Sequence, residues 1–309
     1  MNRCEMPADH NGAGSAEPGD DGPARQRRVN EVFGAAAPYW RDVYGGDDLE
    51  SIVYGDRLGL GLRWARDLRP RPGARALDVG CGAGLLTAGL VDLGYAVDAV
   101  DASSPMLALV QGLVAGRRLT GMVTVSVGDV HALHWPDATF DLVTALGVLP
   151  WLHSPERAVM EMARVARPGG HVLLSADNSL RLSHLLDPRL NPALGPLRRR
   201  VGAGLRRAGL RRAGARPIGE RRYTPRHVDG MIAGAGLRKL RGATVGFANF
   251  SFLGRPVLGE QRGQALHRRL QRLADRELPV VRSLGSHYVV LAAKAGGLPG
   301  CRSGGGSSP

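Results

Sequence analysis

Three glycines at alternate positions, Gly80, Gly82 and Gly84, follow a carboxylate, Asp78, in the segment Ala76-Leu77-Asp78-Val79-Gly80-Cys81-Gly82-Ala83-Gly84-Leu85-Leu86. Glycines so spaced let the backbone turn sharply and let a ligand lie against it without meeting a Cβ. A second carboxylate, Asp101, closes the apolar strand Ala96-Val97-Asp98-Ala99-Val100, where it is placed to accept hydrogen bonds from a ribose diol. Alone, Asp101 reads equally as a turn aspartate, and the pairing with the glycine turn is what makes it a ligand candidate. Dinucleotide-binding strands are apolar up to the turn, so Asp78 and the glycine spacing disfavour a nicotinamide enzyme.

These residues need a particular scaffold. Val29 to Leu68 carries apolar residues at helix-like intervals, broken at Gly45-Gly46. The pattern then predicts a strand over 75–79, a helix over 85–93 ended by Gly94, a strand over 96–100, and a helix over 106–115 opened by Ser103-Ser104-Pro105. Strands follow over 123–127 and 140–146, then a helix over 155–165, a tight turn at Pro168-Gly169-Gly170 and a strand over 171–176. Strands alternating with helices at this rhythm predict an α/β, doubly wound, mostly parallel sheet. A long insertion precedes a helix over 225–235, a strand over 237–245, a helix near 264–276 and a strand over 287–293.

At Leu77-Asp78-Val79-Gly80-Cys81-Gly82-Ala83-Gly84, Val100-Asp101-Ala102-Ser103 with Met106-Leu107, Gly128-Asp129, Phe140-Asp141-Leu142-Val143 and Arg164-Val165-Ala166-Arg167-Pro168-Gly169-Gly170, the chain resembles class I S-adenosylmethionine-dependent methyltransferases. It is most like the group that includes quinone-biosynthesis and small-metabolite enzymes. The resemblance implies a seven-stranded sheet closed by a C-terminal antiparallel hairpin, with a helical N-terminal cap and an inserted lid. It implies S-adenosyl-L-methionine as cofactor. Asp78, Gly80, Cys81, Gly82 and Gly84 would hold its methionine part, Asp101 and Ala102 the ribose, and Met106 one face of the adenine. Asp129 would take the exocyclic amine, Val130 would offer a backbone group beside the ring, and Leu146 would line the methyl passage. The implied reaction is methyl transfer to a small-molecule or lipid-like acceptor, with oxygen preferred over carbon. The alternative from another class is a catalytically silent module that binds S-adenosylmethionine and acts through interaction or regulation.

The donor's sulfonium activates its own methyl group, so orientation and exclusion of water would do most of the work. Trp40, Tyr44, Trp135 and Trp151 are aromatic faces that could favour the cation, or plain packing residues. A phenol or hydroxyl acceptor would need a base. His153, after the fourth strand on the carboxyl edge, is the catalytic candidate, with His131 and His134 behind it; a solvated or structural histidine is the competing reading. No metal-ligand spacing occurs: Cys4, Cys81 and Cys301 are scattered, and no metal is expected.

The expected organisation is a disordered tail over 1–27, a methyltransferase domain over 28–295 with a cofactor-binding core over 74–177 and a basic lid over 178–226, and a second tail over 296–309. With no apolar leader and no membrane-length run, a cytoplasmic protein is expected. The formal net charge is +13, and Arg198 to Arg226 holds eleven arginines against Glu220 alone. That patch suggests peripheral contact with an anionic membrane, a grip on an acidic substrate or a solvated lid. Nucleic acid is disfavoured for want of interleaved aromatics, and the oligomeric state is not legible.

Overall fold

The computed structural model describes residues 22–198, 200–201, 221–248, 250–253 and 255–296. Three helices, α1 (Gly22–Ala35), α2 (Ala37–Asp42) and α3 (Leu49–Asp67), precede the sheet. The sheet runs through β1 (Arg75–Val79), α4 (Leu85–Asp92), β2 (Ala96–Asp101), α5 (Ser104–Gly116), β3 (Val123–Val127), β4 (Phe140–Ala145), α6 (Pro155–Val165) and β5 (Ala166–Asp177). After it come α7 (Leu182–Leu186), α8 (Pro225–Gly234), β6 (Leu237–Val245), a ribbon of β7 (Ser251–Phe252) and β8 (Arg255–Pro256), α9 (Glu260–Asp275) and β9 (His287–Lys294).

Seven strands lie in the order β3-β2-β1-β4-β5-β9-β6. The first five are parallel, and β9 enters antiparallel between β5 and β6. This is the fold class the sequence predicts. On one face Leu77, Val143, Val172, Leu174 and Val290 pack on α6 and α8; on the other Ala76, Leu142, Leu173, Val289 and Leu291 pack on α3 and α4. Each fully buried aliphatic side chain contributes about 1.5–3 kcal/mol, so the layers fix where the strand ends stand.

The structure refines the sequence reading at three places. α1 begins at Gly22, inside the stretch expected to be a structureless tail, because Arg25 is buried and donates to the carbonyls of Trp151 and Leu152 at 3.2 and 3.4 Å. The N-terminal helical region breaks at Gly45-Gly46 as expected, with Asp48 restarting α3 by accepting from the Ser51 amide at 2.9 Å, and it breaks once more near Ala36. Pro168-Gly169-Gly170 lies within β5, where an irregularity between Phe140 and Leu142 absorbs it. Most of the arginine-rich stretch lies outside the described residues, Arg206, Arg207, Arg211 and Arg212 included.

Candidate active site

The carboxyl ends of β1, β2 and β4 meet at the glycine turn, the place where ligands bind in open parallel sheets. Gly80, Gly82 and Gly84 take φ of +62°, +53° and +83°, conformations that L side chains rarely adopt. Gly80 N and Cys81 N both donate to Val100 O, at 2.7 and 3.2 Å, which ties the turn to the end of β2. A Cβ on Gly82 would meet nothing within 4 Å, so this part of the turn is open to a ligand. A Cβ on Gly80 would meet Val148, so that glycine is also demanded by packing. Cys81 is buried with Ala99, Leu107 and Val110, and burial pushes its thiol well up, which disqualifies it as a nucleophile.

Asp101 has both carboxylate oxygens fixed by backbone: Gly82 N donates to one at 3.0 Å and Ser103 N to the other at 2.9 Å. Each oxygen keeps a second acceptor site, and the pair is rigidly presented beside the open turn. Burial raises its pKa. Asp78 differs. It is 2% exposed, and its oxygens accept from Thr87 Oγ1 at 2.7 Å and Thr144 Oγ1 at 2.9 Å. Burial raises its pKa to about 6, against the lowering effect of those hydroxyls. Its contacts bolt β1 to α4 and β4 beneath the turn.

Met106 and Val130 are buried nearby, Ala102 is exposed, and Leu146 is half-buried beside α3, close enough that a Cβ on Gly61 would strike it. Asp129 accepts from the backbone N of His131 at 2.9 Å and lies 2.6 Å from its Nδ1. Burial acts upward on Asp129, but the bonds from His131 outweigh it and hold the carboxyl below its ordinary range. The His153 ring packs at a tilt against that of His131 with centroids 3.8 Å apart, and its Nδ1 lies 3.3 Å from Gln26 Oε1 of α1. Burial and then His131 lower its pKa. The structure therefore gathers Asp129, His131 and His153 under α1. Trp135 instead packs edge-on against Phe140, and His134 stacks on Trp135.

The other aromatic candidates do come together. Phe33 lies between Trp40 and Trp151, with centroids 5.6 and 5.0 Å away, and Trp40 and Tyr44 lie 5.6 and 6.0 Å from Tyr54. Beneath them is Arg57, which the sequence reading missed. It is 5% exposed, lies over the Tyr54 ring at 4.9 Å and donates to Tyr44 Oη at 3.3 Å. No Asp or Glu among the described residues forms an ion pair with it. A Cβ on Gly147 would come within 2.8 Å of Arg57 Nη1, which puts the guanidinium against the loop leaving β4. Burial acts to lower its pKa, but Tyr44, Tyr54 and the Asp177 carboxylate outweigh it and keep the guanidinium charged, and a bound anion would give it a direct ion pair. Its signal was present in the sequence: Arg57 shares a helix face with Val53, Leu60 and Trp64, all buried.

The family model described as a methyltransferase domain matches residues 77–174, the span that holds all of these strand ends. A ubiquinone biosynthesis O-methyltransferase of Alkalilimnicola ehrlichii is 34% identical over 175 residues, covering 55% of this chain and 68% of that protein. The chain belongs to the class I S-adenosylmethionine-dependent methyltransferases. The mitochondrial ubiquinone biosynthesis O-methyltransferase of Schizosaccharomyces pombe is 33% identical over 51% of this chain, and the match spans only 58% of that protein's length. In fold, the methyltransferase is similar to the magnesium protoporphyrin IX methyltransferase of Synechocystis, with TM-score 0.59, 16% identity, and coverage of 88% of this chain and 100% of that one. It is also similar to the [4+2]-cyclase SpnF, with TM-score 0.57, 19% identity, and coverage of 88% and 97%. A shared fold does not fix the chemistry. No helix among the described residues is long and apolar enough to cross a membrane.

Proposed function

We propose that the protein transfers a methyl group from S-adenosylmethionine to an oxygen of a small aromatic or lipid-like acceptor of the quinone-precursor kind. The donor half is carried by Asp101, held by two amides beside the open glycine turn, with Arg57 buried against the loop leaving β4 as a second candidate contact. A buried cation that makes no direct ion pair among the described residues fits the donor's carboxylate, and a carboxylate held by two amides fits its ribose diol. Met106 and Val130 would flank the adenine, with Asp129 at its amine. Asp78, its oxygens already engaged, acts by holding the turn. When bound, the donor supplies a methyl already activated by its sulfonium. The chain's part is to orient, to exclude water through α1 and α2, and to present aromatic faces that favour a cation.

The acceptor half rests on the relatives' names and on the wall formed by Phe33, Trp40, Tyr44, Tyr54 and Trp151. A ubiquinone/menaquinone biosynthesis C-methyltransferase of Geobacter sulfurreducens is 30% identical over 154 residues, so carbon is the second reading. His153, against α1 and His131, fits a role in fixing that helix over the site. The test is incubation with isotope-labelled methyl donor and a catechol bearing a prenyl chain, followed by magnetic resonance of the product. A methoxy signal supports the proposal, a ring-methyl signal moves the reaction to carbon, and no transfer to any acceptor despite donor binding favours a silent module.

A further inference from the structure

Asp129 offers only one of its two carboxylate oxygens to a ligand. Val127 of β3 is the register partner of Asp101, and Gly128 N donates to Asp101 O at 3.1 Å. Asp101 and Asp129 therefore leave neighbouring strands, which run about 4.8 Å apart. The side chain of Asp129 is 58% exposed, that of His131 only 3%. Asp129 Oδ1 takes both bonds from His131, from the backbone N at 2.9 Å and from Nδ1 at 2.6 Å. Oδ2 accepts nothing among the described residues. A carboxylate only accepts, so Nδ1–H is the donor. His131 is itself fixed, because its carbonyl accepts from Arg157 Nε of α6 at 2.8 Å and its ring packs against that of His153. Its Nε2 is buried without a hydrogen-bond partner among the described residues, so Asp129 is the polar contact that its ring makes there.

We infer that His131 is a positioning residue: it clamps one oxygen of Asp129 so that the other reads an exocyclic amino group, and the site takes a 6-aminopurine donor in preference to a 6-oxopurine. This rests on the methyltransferase reading above and on its placing of Asp129 at the adenine amine. An ionised carboxylate accepts from an amine but meets the oxygen of a 6-oxopurine with no proton between them. A protonated carboxyl would donate to that oxygen, and the choice between the two purines would fade. The protonation state of Asp129 therefore sets the specificity. Burial acts upward on its pKa, and the bonds from His131 hold it down. The charged and titratable groups around the pair are His153 from the loop after β4, Arg157 from α6 and Arg221 ahead of α8, while α1 presents the neutral Gln26. Burial and then His131 lower the pKa of His153, so at neutral pH it is uncharged and does not replace His131.

The test compares S-adenosylhomocysteine with S-inosylhomocysteine, which carries an oxygen in place of the exocyclic amine. Calorimetry on the full-length protein would run from about pH 5 to about pH 8. Wild type should prefer the amino compound by at least about tenfold and hold that ratio across the range. His131→Phe keeps the ring but not its N–H. It should match wild type near the upper limit and lose the preference as pH falls, because burial now lets Asp129 take a proton. His131→Leu repeats this test should the phenylalanine variant not fold. His131→Asn, with a side-chain N–H close to the place of Nδ1, should restore the flat ratio. Asp129→Asn should remove the preference at every pH, since an amide can face either group. Thermal melting of each variant reports folding apart from the ligand. A ratio without the histidine N–H that is as large and as flat as that of wild type sinks the proposal. So does an equal loss of both ligands at every pH, which makes His131 a packing residue, and so does a preference that survives Asp129→Asn. Wild type that binds the two compounds equally overturns this inference alone, whereas wild type that binds neither overturns the methyltransferase reading with it.

Discussion

Arg57 is the residue whose chemistry separates most cleanly from its neighbours. If it pairs with the donor's carboxylate, Arg57→Met should weaken S-adenosylhomocysteine binding by roughly 1.5–3 kcal/mol, the range for hydrogen bonds to charged groups. Methylthioadenosine, which lacks the amino-acid part, should bind both proteins alike. Equal weakening of both ligands would mean that the substitution merely loosened α3. Asp78 makes a pH-dependent case. Its pKa is raised in the folded state to about 6, from an ordinary value near 3.9, so the folded protein holds the extra proton. Stability from this group is therefore greatest at low pH and declines as pH rises from about 4 to 6, by on the order of 3 kcal/mol. Asp78→Asn should remove that decline, so its melting temperature should gain on wild type across this window. A constant difference between the two from pH 4 to 7 would contradict the burial argument.

At the scale of elements, α1 is fixed over the loop after β4 and the start of α5. Arg25 ties it to the loop after β4, Gln26 touches His153, and a Cβ on Gly34 would stand 3.3 Å from Ser103 Oγ at the start of α5. Hydrogen exchange should show the α1 amides slowing when S-adenosylhomocysteine binds, and Arg25→Ala should reduce that protection. If α1 exchanges at the same rate with and without ligand, it is not a lid. The sheet was legible from sequence because parallel strands flanked by helices leave a regular apolar rhythm, and the turn because its glycines cannot be replaced cheaply. α1 was not: Gly22 to Arg28 has a polar, arginine-rich composition, and partners such as the carbonyls of Trp151 and Leu152, over a hundred residues away, make its burial favourable. Arg57 escaped for the same reason. It is ordinary in its own segment, and its meaning comes from the loop leaving β4, which reaches it only through the fold.

For the whole molecule, the basic excess and the donor site make separable claims. If the stretch from Arg198 to Arg226 contacts an anionic surface, the protein should sediment with acidic liposomes at low salt, with each basic residue near the surface worth about 1 kcal/mol. Salt should release it as the Debye length falls from about 10 Å at 0.1 M to about 3 Å at 1 M. A protein that stays in the supernatant with acidic lipid at low salt has a patch that serves a soluble anion or solvent only. The central claim is the donor site, and calorimetric titration tests it most directly. Wild type should bind S-adenosylmethionine with micromolar affinity, about −8 kcal/mol. Asp101→Ala should lose a large part of that, with NAD giving no heat on either protein. Tight NAD binding, or S-adenosylmethionine binding that ignores the loss of Asp101, would contradict the account.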